Sequence, residues 1–163
     1  MAIIRSGLNL RPQTNGDLPF VCRLYASTRL EELAHTGWPE SILRQFLEQQ
    51  FRLQYHHYAT NYPGAELQIV ECDGVAIGRL YLYQSQNDLR IVDISLLPEF
   101  RGQGYGATLL NNVLEQARAT GSKVSIHVET TNPAQSLYAR LGFEFVKELD
   151  PSEIYRLMEC TPN

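Results

Sequence analysis

The sequence predicts an α/β (α+β) fold: a mixed, mostly antiparallel sheet of six to seven strands, helices on both faces and a central βαβ crossover. The first observation is a series of short apolar runs separated by turn residues, which is typical of β-hairpins. The second is a glycine-rich loop between an apolar run and a helical pattern, followed by another apolar run, which predicts two parallel strands joined by a helix. The third is a pair of late apolar runs that predicts a closing antiparallel pair.

The N-terminal third predicts one strand and two helices. Residues 8–11 form the strand, and Thr14 and Asp17 have the spacing of a capping box at the start of a helix. The first helix is predicted by apolar residues at helical spacing, namely Leu18, Val21 and Leu24. Pro39 has the N1 position of a second helix, which reaches residue 58.

The middle of the chain predicts hairpins. Residues 67–71 and 75–83 form one, because Asp73 and Gly74 between them are a turn signal. Gly78 lies inside the second of these strands, where a glycine indicates a bulge or the close approach of another segment.

The C-terminal half predicts the crossover and the closing strands. After a turn at residues 85–88, the crossover consists of a strand at 89–97, a helix at 107–119 and a strand at 123–129. Because such connections are right-handed and join parallel strands, the two strands are expected to be parallel. The remaining elements are a short helix capped by Thr131 or Asn132 and antiparallel strands at 143–148 and 154–159.

The composition is that of a single globular domain, residues 1–163. The chain is 44% hydrophobic, which is enough for a substantial core. Its 14 Lys and Arg against 18 Asp and Glu give a net charge of −4, which argues against nucleic acid or an anionic membrane as a partner. The three scattered cysteines and the lack of a signal or membrane-spanning run predict a cytoplasmic protein with reduced thiols. No metal site is predicted, since the adjacent His56 and His57 diverge on a helix.

The loop before the helix at 107–119 predicts a phosphate site. It reads Arg101-Gly102-Gln103-Gly104-Tyr105-Gly106. The first amides of a helix have no intrahelical partner and carry the positive end of the dipole, so they bind anions. Glycine lets the backbone approach the phosphate oxygens and adopt positive φ, and the arginine adds a charge-assisted hydrogen bond.

Two nucleotide-binding patterns are alternatives for this loop. The nucleoside-triphosphate pattern is excluded, because no Gly-x-x-x-x-Gly-Lys-Ser/Thr run is present. The dinucleotide fingerprint stays open, because Gly102-x-Gly104-x-x-Ala107 matches its relaxed form and Glu129 has the spacing of a ribose contact. Two features argue against the dinucleotide fingerprint. Residues 98–101 separate the strand from the glycines, and the sequence shows one βαβ unit, whereas the fingerprint normally begins a series of such units.

Two blocks of sequence resemble the GNAT acyltransferase superfamily. The glycine-rich loop preceded by Leu96-Leu97-Pro98 is similar to the signature of that family. The segment Asn132-Pro133-Ala134-Gln135-Ser136-Leu137-Tyr138-Ala139-Arg140-Leu141-Gly142-Phe143 resembles its Asn-x-x-x-x-Leu-Tyr-x-x-Leu-Gly-Phe motif. The resemblance is good from residue 67 to residue 145 and poor in the N-terminal third. It implies a GNAT fold and acetyl-CoA as co-substrate.

The resemblance also implies how acetyl-CoA is held. The diphosphate is expected on the amides from Gly102 to Ala107. The pantetheine arm is expected along β-strand residues 94–96 as an added strand, in the space opened where strands 89–97 and 123–129 splay, and the Leu96 N–H is expected to stabilise the oxyanion. The implied binding residues are Ile94, Ser95, Leu96, Arg101, Gly102, Gln103, Gly104, Tyr105, Gly106, Ala107, Asn132 and Tyr138.

Two residues are predicted to move protons. Tyr138 matches the family tyrosine beside the sulfur and is expected to act as general acid, with a packing role as the alternative. His127, on the strand beside the expected cofactor cleft, is the first candidate for the general base, since histidine titrates near neutral pH. Asp93 and Glu129 are the rival bases.

The expected function is an N-acetyltransferase that moves acetyl to a primary amine by direct attack on the thioester. The acceptor is a small molecule or a peptide, and a homodimer is a family-based expectation. By the same resemblance, His35, Trp38 and the cluster at residues 55–58 border the acceptor site, with a core role as the alternative for Trp38. The rival functions are a CoA-binding sensor or interaction module without turnover and a dinucleotide-dependent oxidoreductase.

Overall fold

The computed structural model describes residues 2–5 and 7–163. In these residues the helices are α1 (Leu18–Leu33), α2 (Glu40–Asn61), α3 (Tyr105–Thr120) and α4 (Gln135–Arg140). The strands are β1 (Ala2–Arg5), β2 (Leu8–Pro12), β3 (Glu66–Cys72), β4 (Val75–Ser85), β5 (Asp88–Leu96), β6 (Lys123–Glu129), β7 (Glu144–Phe145) and β8 (Tyr155–Cys160). No helix in this described part of the chain combines the length and the apolar character that crossing a bilayer requires.

The first of two compact units contains the residues up to Tyr81 together with Asp93–Gly102. Its strands follow the order β1-β2-β3-β4-β5. Strands β3 and β4 are joined by the two-residue turn Asp73-Gly74, whose φ angles are 50° and 80°, as the turn signal predicts. The core of this unit is apolar and fully buried, and its main residues are Leu8, Val21, Leu24, Ile69, Val70, Ile77 and Leu80.

The second unit contains Leu82–Val92 and Gln103–Asn163, so strands β4 and β5 contribute residues to both units. Its strands follow the order β4-β5-β6-β8-β7. Strand β6 is parallel to β5, which confirms the predicted crossover, and β7 is antiparallel to β8, which confirms the late antiparallel pair. Helix α3 packs on β6 through a buried stripe that consists of Leu109, Leu110, Val113, Leu114 and Ala117.

The predicted capping box forms, but it begins a 3-10 turn, Asn15–Asp17, that leads into α1 at Leu18. Thr14 N donates to Asp17 Oδ2 (2.8 Å), as the capping box requires. Arg11 of β2 also donates to both carboxylate oxygens of Asp17, each at 2.8 Å. The Arg11 guanidinium therefore holds the pKa of Asp17 below its usual range. The capping residue thus links the helix start to the sheet.

Several boundaries differ from the sequence prediction. Strand β1 was not predicted, because its sequence is too short to show the alternation of a strand. It forms by pairing with β2, and the described residues therefore have eight strands. Helix α3 begins at Tyr105 and not at residue 107. Pro39 is the N-cap of α2, with an extended ψ of 149°, and not the N1 residue. Strand β7 has two residues where residues 143–148 were expected, because its ladder with β8 pairs only Glu144 and Phe145.

Candidate active site

The C-terminal half of β5 carries the residues expected to bind the pantetheine arm. The parallel ladder with β6 pairs Asp88 through Ile91 and extends no further, whereas β5 continues to Leu96. At the end of the strand, Leu97 N donates to Ile77 O of β4 (2.8 Å). Because backbone groups of successive residues point to opposite edges of a strand, the Leu96 N–H points away from β4. This is the orientation that the predicted oxyanion donor needs.

Gly78 of β4 allows a close approach to the same residues. A Cβ atom at Gly78 would lie 2.3 Å from Ser95 O and 2.8 Å from Leu96 Cδ2. Real Cβ atoms do not approach so closely, so any side chain here would displace the end of β5. The close approach predicted from the sequence is therefore confirmed.

The variant Gly78→Ala should shift Ser95 and Leu96. We expect a loss of about 1–3 kcal/mol in the free energy of unfolding, because the extra methyl group overpacks against backbone. Activity should also fall, by up to about 100-fold for a displacement near 1 Å of the Leu96 N–H. Urea unfolding and steady-state kinetics measure the two effects. Gly16→Ala is the matched control, since its added Cβ would meet Thr14 Oγ1 at an ordinary 3.6 Å; equal losses in both variants would contradict the steric explanation.

The Arg101 side chain contacts the backbone at the end of β5. A short 3-10 turn, Pro98–Phe100, follows the strand. The exposed Arg101 side chain then folds back, and its Nε donates to Leu96 O (3.0 Å). The sequence predicts that this arginine binds phosphate. Its contact in the structure holds the backbone of a predicted pantetheine-binding residue.

The glycine-rich segment leads into α3 with exposed backbone amides. Gly102 and Gly104 have φ of 71° and 88°, and an added Cβ at either would meet nothing within 4 Å, so glycine is needed for the conformation and not for space. The Arg101 amide donates to Pro98 O, and the Thr108 amide donates to Gly104 O. Between them, no backbone carbonyl of the described residues accepts from the amides of Gly102, Gly104, Gly106 and Ala107. This arrangement fits an anionic ligand.

Helix α4 places Tyr138 in the interior of the second unit. Tyr138 is 5% exposed, and its ring lies 5.9 Å from that of Phe143. An added Cβ on Gly106 would be 3.5 Å from Leu137 Cδ2, so the start of α3 lies against α4, one residue from Tyr138. The N-cap of α4 is Ala134, so the predicted cap by Thr131 or Asn132 is wrong; Asn132 Oδ1 instead accepts from the Ala134 amide (2.9 Å) in the turn before the helix. The structure thus brings the second sequence block to the start of α3.

His127 lies on β6, where Arg90 of β5 contacts it. The distance from Arg90 Nη1 to His127 Nδ1 is 3.0 Å. Partial burial and this guanidinium lower the pKa of His127. The imidazole is therefore more readily neutral than that of a free histidine, and neutrality is a requirement for a base.

The rival bases have different surroundings. Both oxygens of the Asp93 carboxylate accept hydrogen bonds: Oδ2 from Arg79 Nη2 (2.7 Å) and Tyr58 OH (2.9 Å), and Oδ1 from Ser95 Oγ (2.6 Å). Glu129 on β6 is half-buried, and its Oε1 faces the hydroxyl of Tyr155 at 3.4 Å. Asp93 thus connects three side chains of the first unit by hydrogen bonds, whereas Glu129 belongs to the second unit.

Arg79 is a functional candidate that was not predicted from the sequence. It is 2% exposed on β4, and its Nη2 also donates to Gln54 Oε1 of α2 (2.8 Å). Its guanidinium lies 4.9 Å from the ring centroid of Tyr81. A signal existed, because an arginine within the apolar run of residues 77–83 is unusual.

A cleft between α1 and α2 has residues of the expected acceptor region in its wall. Its volume is about 480 Å³, and Phe51, Tyr55 and His56 are among its lining residues. Trp38 is 42% exposed and packs edge-on to Phe46 at 5.5 Å. The core alternative for Trp38 is therefore wrong, and this part of the first unit presents aromatic surface.

The predicted binding residues are divided between the two units. The first unit holds Ile94, Ser95, Leu96, Arg101 and Gly102, and the second holds Gln103, Gly104, Tyr105, Gly106, Ala107, Asn132 and Tyr138. Strand β5 extends beyond its ladder with β6, and the chain then passes through glycines into the start of α3, which is the arrangement that the predicted acetyl-CoA site requires.

Comparison with known sequences assigns the chain to a protein family. The sequence profile of the Acetyltransferase (GNAT) family matches residues 27–143. The chain therefore belongs to the GNAT acetyltransferase family, whose members use acetyl-CoA as co-substrate. This membership confirms the predicted family, fold class and enzyme class, and it decides against the dinucleotide-dependent alternative.

Individual relatives agree with this family. A Bacillus subtilis (strain 168) protein named as a ribosomal protein bS18-alanine N-acetyltransferase is 29% identical over 118 residues, which cover 71% of this chain and 77% of that protein. The PaiA N-acetyltransferase from Thermoplasma acidophilum in complex with coenzyme A has a TM-score of 0.69 at 17% identity, covering 94% of this chain and 98% of that one. The ribosomal-protein-S18-alanine N-acetyltransferase from Escherichia coli has a TM-score of 0.62 at 16% identity, covering 96% and 94%. These two structures support the fold.

Proposed function

We propose that this GNAT enzyme transfers the acetyl group of acetyl-CoA to a primary amine that attacks the thioester directly. The observation that carries the proposal is that no backbone carbonyl of the described chain accepts from the amides of Gly102, Gly104, Gly106 and Ala107. They fit a diphosphate, which a helix start with glycines binds well. When bound, acetyl-CoA supplies an acyl group activated as a thioester.

Three parts of the chain are proposed to hold it. The amides of Gly102, Gly104, Gly106 and Ala107 bind the diphosphate. The edge of β5 from Ile94 to Leu96 binds the pantetheine arm by strand addition, and the end of its ladder with β6 supports this role. The Leu96 N–H donates to the oxygen on which negative charge develops. The side chains of Gln103, Tyr105 and Asn132 remain proposed contacts from the resemblance.

The proton transfers are assigned to Tyr138 and His127. A carbon–nitrogen bond forms, the carbon–sulfur bond breaks, and Tyr138 gives its hydroxyl proton to the departing thiolate. His127 is our first proposal for the group that accepts the proton of the amine, because burial and Arg90 favour its neutral form through a lowered pKa. Asp93 is less suited, since both of its oxygens already accept hydrogen bonds. Glu129 remains the rival.

A peptide α-amine is the first acceptor class that we propose. The name of the Bacillus subtilis relative specifies an alanine of a ribosomal protein as its acceptor. The aromatic cleft between α1 and α2 supports the binding of an apolar segment of a peptide acceptor. Homodimerisation is proposed from the family resemblance, and the mass of the protein in solution tests it.

Two experiments test the function. Calorimetric titration with CoA and with pantetheine, which lacks the diphosphate, should show much tighter binding of CoA; equal affinities would overturn the assignment of the amides. Release of free thiol from acetyl-CoA is then followed with a peptide that begins with alanine, with spermidine and with lysine. Release with the peptide supports the proposed acceptor. Tight CoA binding without release across this panel would favour the sensor alternative.

A further inference from the structure

The polar face of the β5–β6 pair carries one connected chain of hydrogen bonds. Arg90 Nε donates to Ser125 Oγ (2.7 Å), and Ser125 Oγ lies 2.7 Å from Asp88 Oδ1. Ser125 is fully buried. The parallel register pairs Arg90 with Ser125, and Ser125 and His127 lie on the same face of β6 because residues two apart on a strand do so. The guanidinium is thus fixed beside the imidazole by two other side chains.

The hydrogen bond between Arg90 and His127 has one possible direction. A guanidinium has five N–H donors and no acceptor, so Arg90 donates and Nδ1 of His127 accepts. A neutral imidazole that accepts through Nδ1 carries its proton on Nε2. We propose that Arg90 is a positioning residue for His127, which holds the imidazole ring as an Nδ1 acceptor with its proton on Nε2.

Other charged groups around His127 are compensated by their own partners. On its own strand and on β8, Lys123 and Glu159 pair with each other at 2.6 Å, and Glu129 faces the Tyr155 hydroxyl. On β5, Asp88 accepts from Ser125, and its Oδ2 lies 3.9 Å from Arg90 Nη2. Arg90 is the charged group that contacts the ring directly.

The contact with Arg90 determines the pH at which His127 takes up a proton and the ring nitrogen that carries it. The catalytic consequence rests on the proposed function. The one free lone pair of the neutral ring, on Nδ1, is engaged by Arg90, so His127 can accept the proton of the amine only after this hydrogen bond breaks. Proton uptake at Nδ1 breaks that hydrogen bond and leaves two cations in contact, which is unfavourable. Arg90 therefore keeps His127 neutral at lower pH and makes its Nε2–H a hydrogen-bond donor. Removal of Arg90 should make the imidazole more basic.

The test is nitrogen-15 NMR of the histidine rings across a pH titration. The chain has four histidines; a His127→Gln variant assigns the relevant signals, and the other three rings are internal references. In the wild type we expect His127 to be protonated on Nε2 and to have a pKa below that of free histidine. In Arg90→Met the pKa should rise and the two tautomers should mix. Arg90→Lys, which keeps the charge, should retain part of the lowered pKa. Arg44→Met is the control, since it removes the same charge from an exposed pair with Glu40 on α2.

The possible results separate the two proposals. A wild-type ring protonated on Nδ1, or an unchanged His127 pKa in Arg90→Met, would overturn the role of Arg90; the wild-type measurement decides this even if the variant does not fold. The pH dependence of kcat/KM is measured on the same proteins. A shift of its acid limb to higher pH in Arg90→Met supports His127 as the base. If the NMR pKa rises while the limb stays in place, the inference on Arg90 holds and the base is another group.

Discussion

Replacement of Tyr138 by phenylalanine should lower kcat by about 10²–10⁴-fold, the usual contribution of a positioned general acid. The ring is retained, so packing against Phe143 should persist and the unfolding midpoint should change little. Steady-state kinetics with acetyl-CoA and the best acceptor measure the effect. Because the hydroxyl acts on the leaving group, kcat should fall while the affinity for CoA stays the same.

The control for this variant removes a hydroxyl from a tyrosine outside the proposed machinery. Tyr83 on β4 is half-buried, and Tyr83→Phe should retain full activity. Undiminished turnover of Tyr138→Phe would reject the acid role and leave Tyr138 as a packing residue. A parallel loss of CoA affinity would indicate that the hydroxyl holds the co-substrate instead.

Replacement of Arg79 by methionine should cost about 3–5 kcal/mol of unfolding free energy, because it leaves the carboxylate of Asp93 buried without its cation. The side chains of Arg79 and Asp93 are 3% and 10% exposed, and the ion pair is 2.7 Å long. Urea unfolding at neutral pH measures the change. The matched variant Arg44→Met removes an arginine from an exposed pair and should cost less than about 1 kcal/mol.

A double-mutant cycle separates the ion pair from the packing of the arginine. In Arg79→Met with Asp93→Asn, the buried charge is gone, so the double variant should be more stable than the sum of the single losses predicts. Additive losses would mean that the contacts of Arg79 with Gln54 and Tyr81 dominate. A loss below 1 kcal/mol in Arg79→Met alone would show that the buried pair does not stabilise the first unit.

Local patterns in the sequence predicted most of the elements. The turn at Asp73-Gly74, the capping pair Thr14 and Asp17, and the glycines that precede α3 each depend on a few neighbouring residues, so their spacing is sufficient evidence. The errors occurred at strands whose bounds depend on pairing with another strand. Strand β1 is ordered by β2, and β7 is limited to the two residues that pair with β8 before the chain turns.

The candidate site divides in the same way. Sequence patterns were sufficient for the family, the crossover and the predicted phosphate loop, because a strand, a glycine loop and a helix start are contiguous in the chain. The tertiary structure decided that Arg79 pairs with Asp93, that Gly78 lies against Ser95, and that Arg90 contacts His127. Alternation along a strand predicts the face on which a side chain lies, but its partner on the next strand depends on register. Register is set by the packing of whole strands, which no short pattern encodes.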